Sequence, residues 1–308
     1  MTAKCNLIID SCCDLPKQEI DGEGITLLKF PFHVGYAEFF DDMFQTSSPH
    51  DFYEAMRKGA TPSTAQIPMN VMLEAFEQAA QSGVPTVFLC FSSQLSGTYS
   101  TAEMLLEQVK EEHPEAELYL VDTKLASVAE GLLVHEAIAQ RNKGLTAREL
   151  AEWAQEARYF VHGFFMVDSL DALARGGRIP KALANIGSKL DVKPLLTFDL
   201  EGNLAVAGMA RGRKKGFKQM VEYYQKNVLD SNIKAEVIIG DADCPRDAEK
   251  LMDMLKKDTN ATLFLRAQIG PVIGCHVGPG MLACVMWGVD RREQLSVGDR
   301  IAKRVKGA

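Results

Sequence analysis

Short apolar runs alternate with helical spacings over the first half of the chain. The runs at 6–10 (NLIID), 84–91 and 117–122 have the length and composition of buried β-strands. Between the first two, residues 69–81 repeat apolar side chains at spacings of three and four, which predicts one apolar face of a helix. Strands separated by helices indicate a parallel sheet covered on both sides, in which ligands gather at the carboxyl ends of the strands.

The pattern changes in the second half. Residues 193–210 form two strand-like runs about a Glu-Gly-Asn turn, which predicts a hairpin. Two further strands with a helix between them are expected over 235–270, one more over 280–288, and a helix after the Gly-Gly pair at 176–177. We therefore expect an α/β fold with two domains: an N-terminal parallel α/β domain over residues 1–158 and a C-terminal α+β domain over residues 159–308.

Composition narrows the class of protein. The net charge of −7 gives no support to general binding of nucleic acid. The apolar run at the amino end is too short for a signal peptide, and no run reaches the roughly 18 residues of a membrane span, so we expect a cytoplasmic protein. Seven cysteines without a CxxC pair predict reduced, mostly buried thiols, and no histidine pair suggests a metal site.

Hydroxyl side chains are concentrated where the strand at 84–91 passes into a helix. In SSQLSGTYS, residues 92–100, Ser96 or Thr98 can cap the helix, and Gly97 lets a ligand approach the backbone. Free amides and the helix dipole favour an anion there, such as a carboxylate or phosphate. Two alternatives remain: the hydroxyls only cap the helix, or Ser96 is a nucleophile. The GxSxG motif of a hydrolase is absent.

Other polar segments are also candidates. Thr64 lies in a second hydroxyl-rich loop before a helix, and a loop of this kind could face the same ligand as the first or only cap its own helix. Glycines and a proline surround His276 and imply close backbone approach. Arg178 follows the Gly-Gly pair, where it could bind a phosphate or be solvated. The basic stretch 211–218 is compatible with a solvated helix face, a docking surface or a nucleic-acid contact.

Seven segments in register resemble the motifs of the DegV family, whose members bind fatty acids. The resemblance covers about residues 4–288 and rests on these segments: IIDSCCDLP, SSQLSGTYSTA, VDTKLASVAEGLL, VDSLDALARGGRI, KPLLTFDLEGNL, RGRKK and IGPVIGCHVGPG. Three positions depart from the family pattern. Cys12 and Cys13 replace small polar residues, and Pro180 follows GGRI where serine is usual.

The resemblance implies a protein that encloses one long-chain fatty acid at the junction of two domains. A separate ATP-dependent kinase would then phosphorylate the carboxylate for phospholipid synthesis, and no cofactor is implied. Thr64, Ser96, Gly97 and His276 are expected to bind the carboxylate as uncharged donors. Two arginines, Arg178 and Arg211, are candidates for phosphoryl transfer or partner contact. The alternative class is an enzyme, either a serine hydrolase or a kinase subunit acting on a small substrate.

Methionine side chains are compliant and could form the wall of such a tunnel, although each is more often an ordinary core residue. Six of the thirteen methionines are such candidates: Met69, Met72, Met166, Met209, Met281 and Met286.

Overall fold

The computed structural model describes residues 3–179, 191–230 and 235–294. Their strands are β1 Asn6–Asp10, β2 Ile25–Leu28, β3 Pro31–Val34, β4 Ala37–Phe40, β5 Ser63–Thr64, β6 Thr86–Cys90, β7 Leu118–Asp122, β8 Val161–Met166, β9 Val192–Phe198, β10 Leu204–Arg211, β11 Ala235–Asp241, β12 Ala261–Gln268 and β13 Leu282–Trp287. Their α-helices are α1 Lys17–Ile20, α2 Pro49–Arg57, α3 Met69–Ser82, α4 Thr98–Glu112, α5 Val128–Asn142, α6 Ala147–Ala157, α7 Asp171–Arg175, α8 Arg213–Asn227, α9 Pro245–Asp258 and α10 Pro271–Val277.

The N-terminal part is built on a four-stranded parallel sheet in the order β2-β1-β6-β7. All five residues of β6 are buried, which explains their continuous apolar run. The helix predicted over 69–81 is confirmed as α3 and buries Met72, Phe76 and Ala80. The carboxyl ends of β1, β6 and β7 lead into Cys12, Ser96 and Ser127, so three polar loops meet at one edge of the sheet.

A second, three-stranded antiparallel sheet lies in the segment between β2 and α3 and was not predicted. Its order is β4-β3-β5, and the helix α2 belongs to the same segment. β5 is only two residues long and β4 is exposed throughout, so neither has an apolar pattern to recognise. This sheet and α2 pack against α10, which lies more than 200 residues later in the chain.

The C-terminal part is a six-stranded sheet in the order β10-β9-β8-β13-β11-β12, antiparallel except between β11 and β12. The predicted hairpin is confirmed as β9–β10, and the Asp199 side chain accepts three amide hydrogen bonds in its turn. On β13, Ala283 and Val285 face one core, and Leu282 and Cys284 face the other. Helix α5 packs on the first face of this sheet, and α8 and α9 pack on the second.

The mixed α/β fold predicted from the sequence is therefore confirmed. The boundary expected near residue 158 lies between the end of α6 and the start of β8. The helix expected after Gly177 and the final residues from 295 lie outside the described residues. All seven cysteines are free and six of them are buried, as expected. Within the described ranges, no helix is both long and apolar enough to cross a membrane.

Candidate functional site

A cavity lies between α5, one face of the six-stranded sheet and the loops at the edge of the parallel sheet. It contains about 1090 Å³ of space free of atoms, part of it open to solvent. Most of its wall is apolar and comes from both sheets and from α5 and α10. Examples are Phe30, Phe91, Leu95, Val128, Ala129, Gly163, Phe164, Phe165, Leu173, Phe198, Leu204, Val272, Ile273, Val277, Met281, Ala283 and Val285.

Polar side chains are concentrated in one group of wall residues, which we call the polar end: Thr64, Gln66, Ser96, Gly97, Arg178 and His276. They come from the short strand β5 and its exit, the β6–α4 loop, the segment after α7, and α10. Five of the residues singled out in the sequence are therefore brought to one cavity from four distant segments: Thr64, Ser96, Gly97, Arg178 and His276. A ligand with one polar group and a long apolar tail matches this division of the wall.

Thr64 and His276 are hydrogen-bonded to each other, with 2.9 Å between Thr64 Oγ1 and His276 Nε2. Burial, together with the positive charge of Arg178, lowers the pKa of His276 to about 4. The imidazole is therefore neutral at pH 7. Its Nδ1 atom is buried without a hydrogen-bond partner among the described residues, and a Cβ on Gly176 would be 2.2 Å away from it. This glycine is needed because any side chain would displace the imidazole ring.

Ser96 and Gly97 immediately precede α4. Gly97 is the cap residue, and no side chain caps the helix, so the capping expected from Ser96 or Thr98 is not seen in that form. Instead Ser96 Oγ accepts from the Thr98 amide at 3.2 Å and lies 2.9 Å from Thr98 Oγ1. A Cβ on Gly97 would lie 2.3 Å from the Gln66 amide nitrogen, which shows how closely the two loops meet.

The contacts of Ser96 do not resemble those of a catalytic serine. A serine nucleophile needs a base within hydrogen-bonding distance. Within the described ranges, the hydrogen bonds of the Ser96 side chain go to Thr98, and the His276 ring bonds to Thr64. A histidine whose pKa is lowered to about 4 is also a weak base at neutral pH.

Arg178 places a cation at the polar end. Its Nε donates to the Leu95 carbonyl at 3.0 Å, and another guanidinium nitrogen donates to the Gly176 carbonyl, so the side chain connects the second part of the chain to the loop before Ser96. The guanidinium is half-buried, and this burial lowers its pKa. The cavity is therefore lined by a guanidinium in addition to the uncharged donors expected from the sequence.

Arg211 is not brought to this cavity. It is exposed at the end of β10, opposite Val192. The neighbouring Arg213 is not a solvated residue, because it forms ion pairs with Asp168 at 3.0 Å and with Asp247 and donates to the Gly280 carbonyl. The basic stretch 211–218 is thus divided into an anchored arginine and exposed residues on either side.

Most of the six methionines singled out in the sequence lie away from the cavity wall, in line with the expectation that a methionine is more often an ordinary core residue. Met281 lines the cavity, whereas the other five methionines lie elsewhere. Met72, Met166 and Met286 are packed in the core, and Met69 and Met209 are exposed. Phenylalanine, valine and alanine from strands and helix starts are prominent in the wall. The pattern of apolar residues at these positions predicts strands, but it does not show which side chains line a cavity.

Two residues at the cavity were missed by the sequence reasoning. Gln66 lies over Gly97 and accepts from the Thr101 hydroxyl at 3.2 Å. Ser127, at the start of α5, lines the cavity and donates to Asp14 Oδ2 at 2.5 Å. Ser127 has a φ of 55°, which is unusual for a residue other than glycine, but a backbone angle leaves no signal in the sequence.

Comparison with known proteins identifies the family. A family model described as an uncharacterised protein, DegV family, matches residues 4–288. The chain belongs to the DegV family. A DegV domain-containing protein of Clostridium perfringens is 36% identical over 282 residues, which cover 92% of this chain and 97% of the relative.

Solved DegV structures share the fold over nearly their whole length. A fatty-acid-binding DegV family protein from Thermus thermophilus is 26% identical with a TM-score of 0.79, and the match covers 93% of this chain and 100% of that one. A fatty-acid-binding DegV family protein from Streptococcus agalactiae is 25% identical with a TM-score of 0.81, covering 93% and 99%. The family assignment made from the seven motifs is thus confirmed.

Proposed function

We propose that this protein binds one long-chain fatty acid in the cavity and presents its carboxylate to a separate ATP-dependent kinase, which forms the acyl phosphate. The observation that carries the proposal is the division of one cavity into an apolar wall and a single polar end. The DegV relatives described as fatty-acid-binding support the choice of ligand.

The apolar wall supplies the binding energy of the acyl chain. Each buried methylene contributes roughly 0.8 kcal/mol, so a chain of about 16 carbons gains on the order of 10 kcal/mol before the costs of association. A carboxylate buried without partners would cancel this gain. In our proposal Thr64, Ser96, the Gly97 backbone and His276 contact it, and Arg178 adds a positive charge.

A carrier explains the accessible polar end better than a self-contained enzyme does. Gly97 and Gln66 are exposed, so the carboxylate would lie close to the surface. Phosphorylation requires only that one carboxylate oxygen reaches the terminal phosphate of ATP held by the partner. Arg178 at the cavity and Arg211 outside it remain our candidates for assisting that transfer or contacting the kinase.

Mass spectrometry of organic extracts from the purified protein tests the proposal. We expect fatty acid at about one molecule per chain. The competing hypothesis is a serine hydrolase that uses Ser96. An empty protein that hydrolyses esters, and loses this activity in Ser96→Ala, would establish that hypothesis and reject ours.

A further inference from the structure

Four carboxyl groups lie together behind the cavity wall, and none of them pairs with a cation among the residues that the structure describes. We call Asp10, Asp14, Asp41 and Glu130 the carboxyl cluster. Each is at most 1% exposed. Both Glu130 oxygens and Asp41 Oδ2 have no hydrogen-bond partner of good geometry in the described part of the chain. Burying four such groups costs free energy, which suggests that they have a role in the neighbouring site.

Two members of the carboxyl cluster meet the amino end of α10. Asp14 Oδ1 accepts from the Gly270 amide at 2.9 Å, although the two residues are 256 positions apart. Asp41 accepts from Met43 at 2.8 Å, and the Val272 amide also faces its carboxyl group. A Cβ on Gly270 would lie 2.5 Å from Asp14 and 3.1 Å from Asp41, so only glycine permits this approach.

Tyr53 makes a third contact at the same point. Its hydroxyl donates to the Ile269 carbonyl at 2.7 Å, and its ring packs against Gly274. The amino end of α10 is thus held by residues from the β1–α1 loop, from the exit of β4 and from α2. His276 lies five residues after Pro271 on this short helix, a rise of about 8 Å.

We propose that Asp14 and Asp41 are positioning residues, which hold the amino end of α10 and thereby fix His276 at the polar end of the cavity. This inference rests on the proposed function only in one respect, namely that His276 is taken to contact the bound carboxylate. The second oxygen of Asp14 accepts from Ser127, which lines the cavity, so one carboxyl group connects two parts of the wall.

Neutral carboxyl groups suit this role. Burial, and next the charge of Asp41, raises the pKa of Asp14 well above its usual range, and burial raises that of Asp41 to about 7. The other ionisable groups that face the pair are also acids: Asp10, Asp42, Glu130, Cys12, Cys13, Cys275 and Tyr53. Asparagine therefore resembles the protonated Asp14 and retains an acceptor for Gly270.

The test measures the titration of His276 without ligand, by NMR of protein labelled at its histidines, with His276→Gln to assign the signal. In the wild type we expect titration near pH 4. In Asp14→Ala we expect the midpoint to rise by more than one pH unit toward 6.5, because α10 shifts and the ring becomes hydrated. Asp14→Asn should remain within about 0.3 units of the wild type.

Two further variants make the test independent of folding losses. Gly270→Ala keeps every carboxyl group but forces α10 away from Asp14 and Asp41, so it should move the His276 midpoint in the same direction. The control variant is Asp241→Ala. Asp241 is also a buried acidic residue, but its side chain accepts hydrogen bonds from Cys244 and Arg266. In this variant the titration midpoint of His276 should not change, even if the stability of the protein falls.

One folded variant, either Asp14→Ala or Gly270→Ala, is enough for the test. If the titration midpoint of His276 in that variant equals the wild-type value, the inference is overturned. Palmitate retention is measured in parallel, and Asp14→Ala should lower it at least tenfold while Asp14→Asn does not. If the wild type retains no palmitate, the proposed function fails, but the His276 titration still decides the positioning role.

Discussion

The polar end and the carboxyl cluster are both buried polar groups at the junction of the three sheets, separated by a wall that includes Cys12 and Ser127. They differ in the charge that they accept. The polar end combines hydroxyl groups, a neutral imidazole and the guanidinium of Arg178, so an anion is stabilised there. The carboxyl cluster has acidic side chains and amide donors, with no cation among the described residues that contact it, and burial raises the pKa values of its carboxyl groups.

In our proposal this difference directs the carboxylate of the fatty acid to the polar end of the cavity. An anion that entered the carboxyl cluster would meet further acids, whereas the same anion at the polar end meets donors. Cys12 lies between the two regions, because it lines the cavity and also faces the carboxyl cluster. Burial and the four neighbouring carboxyl groups raise the pKa of its thiol well above the usual range. The thiol therefore stays protonated and presents an uncharged surface to the ligand.

The largest expected effect is the pH dependence of stability. Burial raises the pKa of Asp10 and of Asp41 from 3.8 to about 7, so the native state keeps protons that the unfolded chain loses near pH 4. The contribution of these two groups to the free energy of unfolding should therefore fall as pH rises from about 4 to about 7 and then level off. At about 1.4 kcal/mol per unit, each group contributes up to ~4 kcal/mol to this fall.

Glu130→Gln separates this effect from general charge repulsion. Burial raises the pKa of Glu130 well above its usual range, and glutamine imitates the neutral form. Urea unfolding should give equal stability for variant and wild type at pH 4 and higher stability for the variant at pH 8. Glu107→Gln changes the same charge on the exposed surface of α4 and serves as control. A wild type that gains stability between pH 4 and 7 would show that the carboxyl cluster is ionised.

Removing a hydroxyl group from the polar end should have the next largest effect. Ser96→Ala and Thr64→Ala should each weaken fatty-acid binding by about 1 to 3 kcal/mol, because a buried polar partner is left without its bond. Fluorescence titration with a labelled fatty acid measures the affinity. Ser93→Ala is the matched control, since its hydroxyl lies in the same loop and donates to Asp122 at 2.7 Å. Equal losses in all three variants would place the carboxylate elsewhere.

The cation at the polar end should contribute less than the two hydroxyl groups together. In Arg178→Ala we expect fatty-acid affinity at pH 7 to fall about tenfold, which corresponds to roughly 1.4 kcal/mol. The pKa of His276 should rise, because the charge of Arg178 helps to lower it. Arg178→Lys, which keeps the charge but not both backbone bonds, should retain part of the affinity. An unchanged affinity in Arg178→Ala would confine this arginine to a structural role.

The sequence predicted those elements whose side chains follow a local period. Three of the four strands of the parallel sheet (β1, β6 and β7), the helix α3 and the β9–β10 hairpin have such patterns, and these predictions are confirmed. The fourth strand, β2, was not predicted. The sheet β4-β3-β5 was missed because its strands are short and one is exposed throughout. This sheet packs against α10, which lies more than 200 residues later in the chain. A local sequence pattern contains no information about such distant contacts.

The candidate site was predicted as a set of residues but not as a geometry. Motif resemblance singled out Thr64, Ser96 and His276, which the fold brings to one cavity. The bond between Thr64 and His276, the position of Arg178 and the contact of Asp14 with Gly270 join residues far apart in the chain. Such contacts depend on how the sheets pack together, and single-sequence spacing contains no information about that packing.

The smallest expected effect concerns the exposed basic residues outside the cavity. Arg213 must be left intact, because its ion pairs with Asp168 and Asp247 hold neighbouring segments together. We therefore predict for the double variant Arg211→Ala, Lys214→Ala that fatty-acid binding stays the same, since neither residue lines the cavity. Acyl phosphate formation with the kinase should slow severalfold, because charges at the rim of an interface act mainly on the association rate. The control is Lys218→Ala on the same helix, where the lysine already pairs with Glu222 at 3.6 Å. A rate equal to the wild type, at low salt where such steering is strongest, would show that residues 211 and 214 only face solvent.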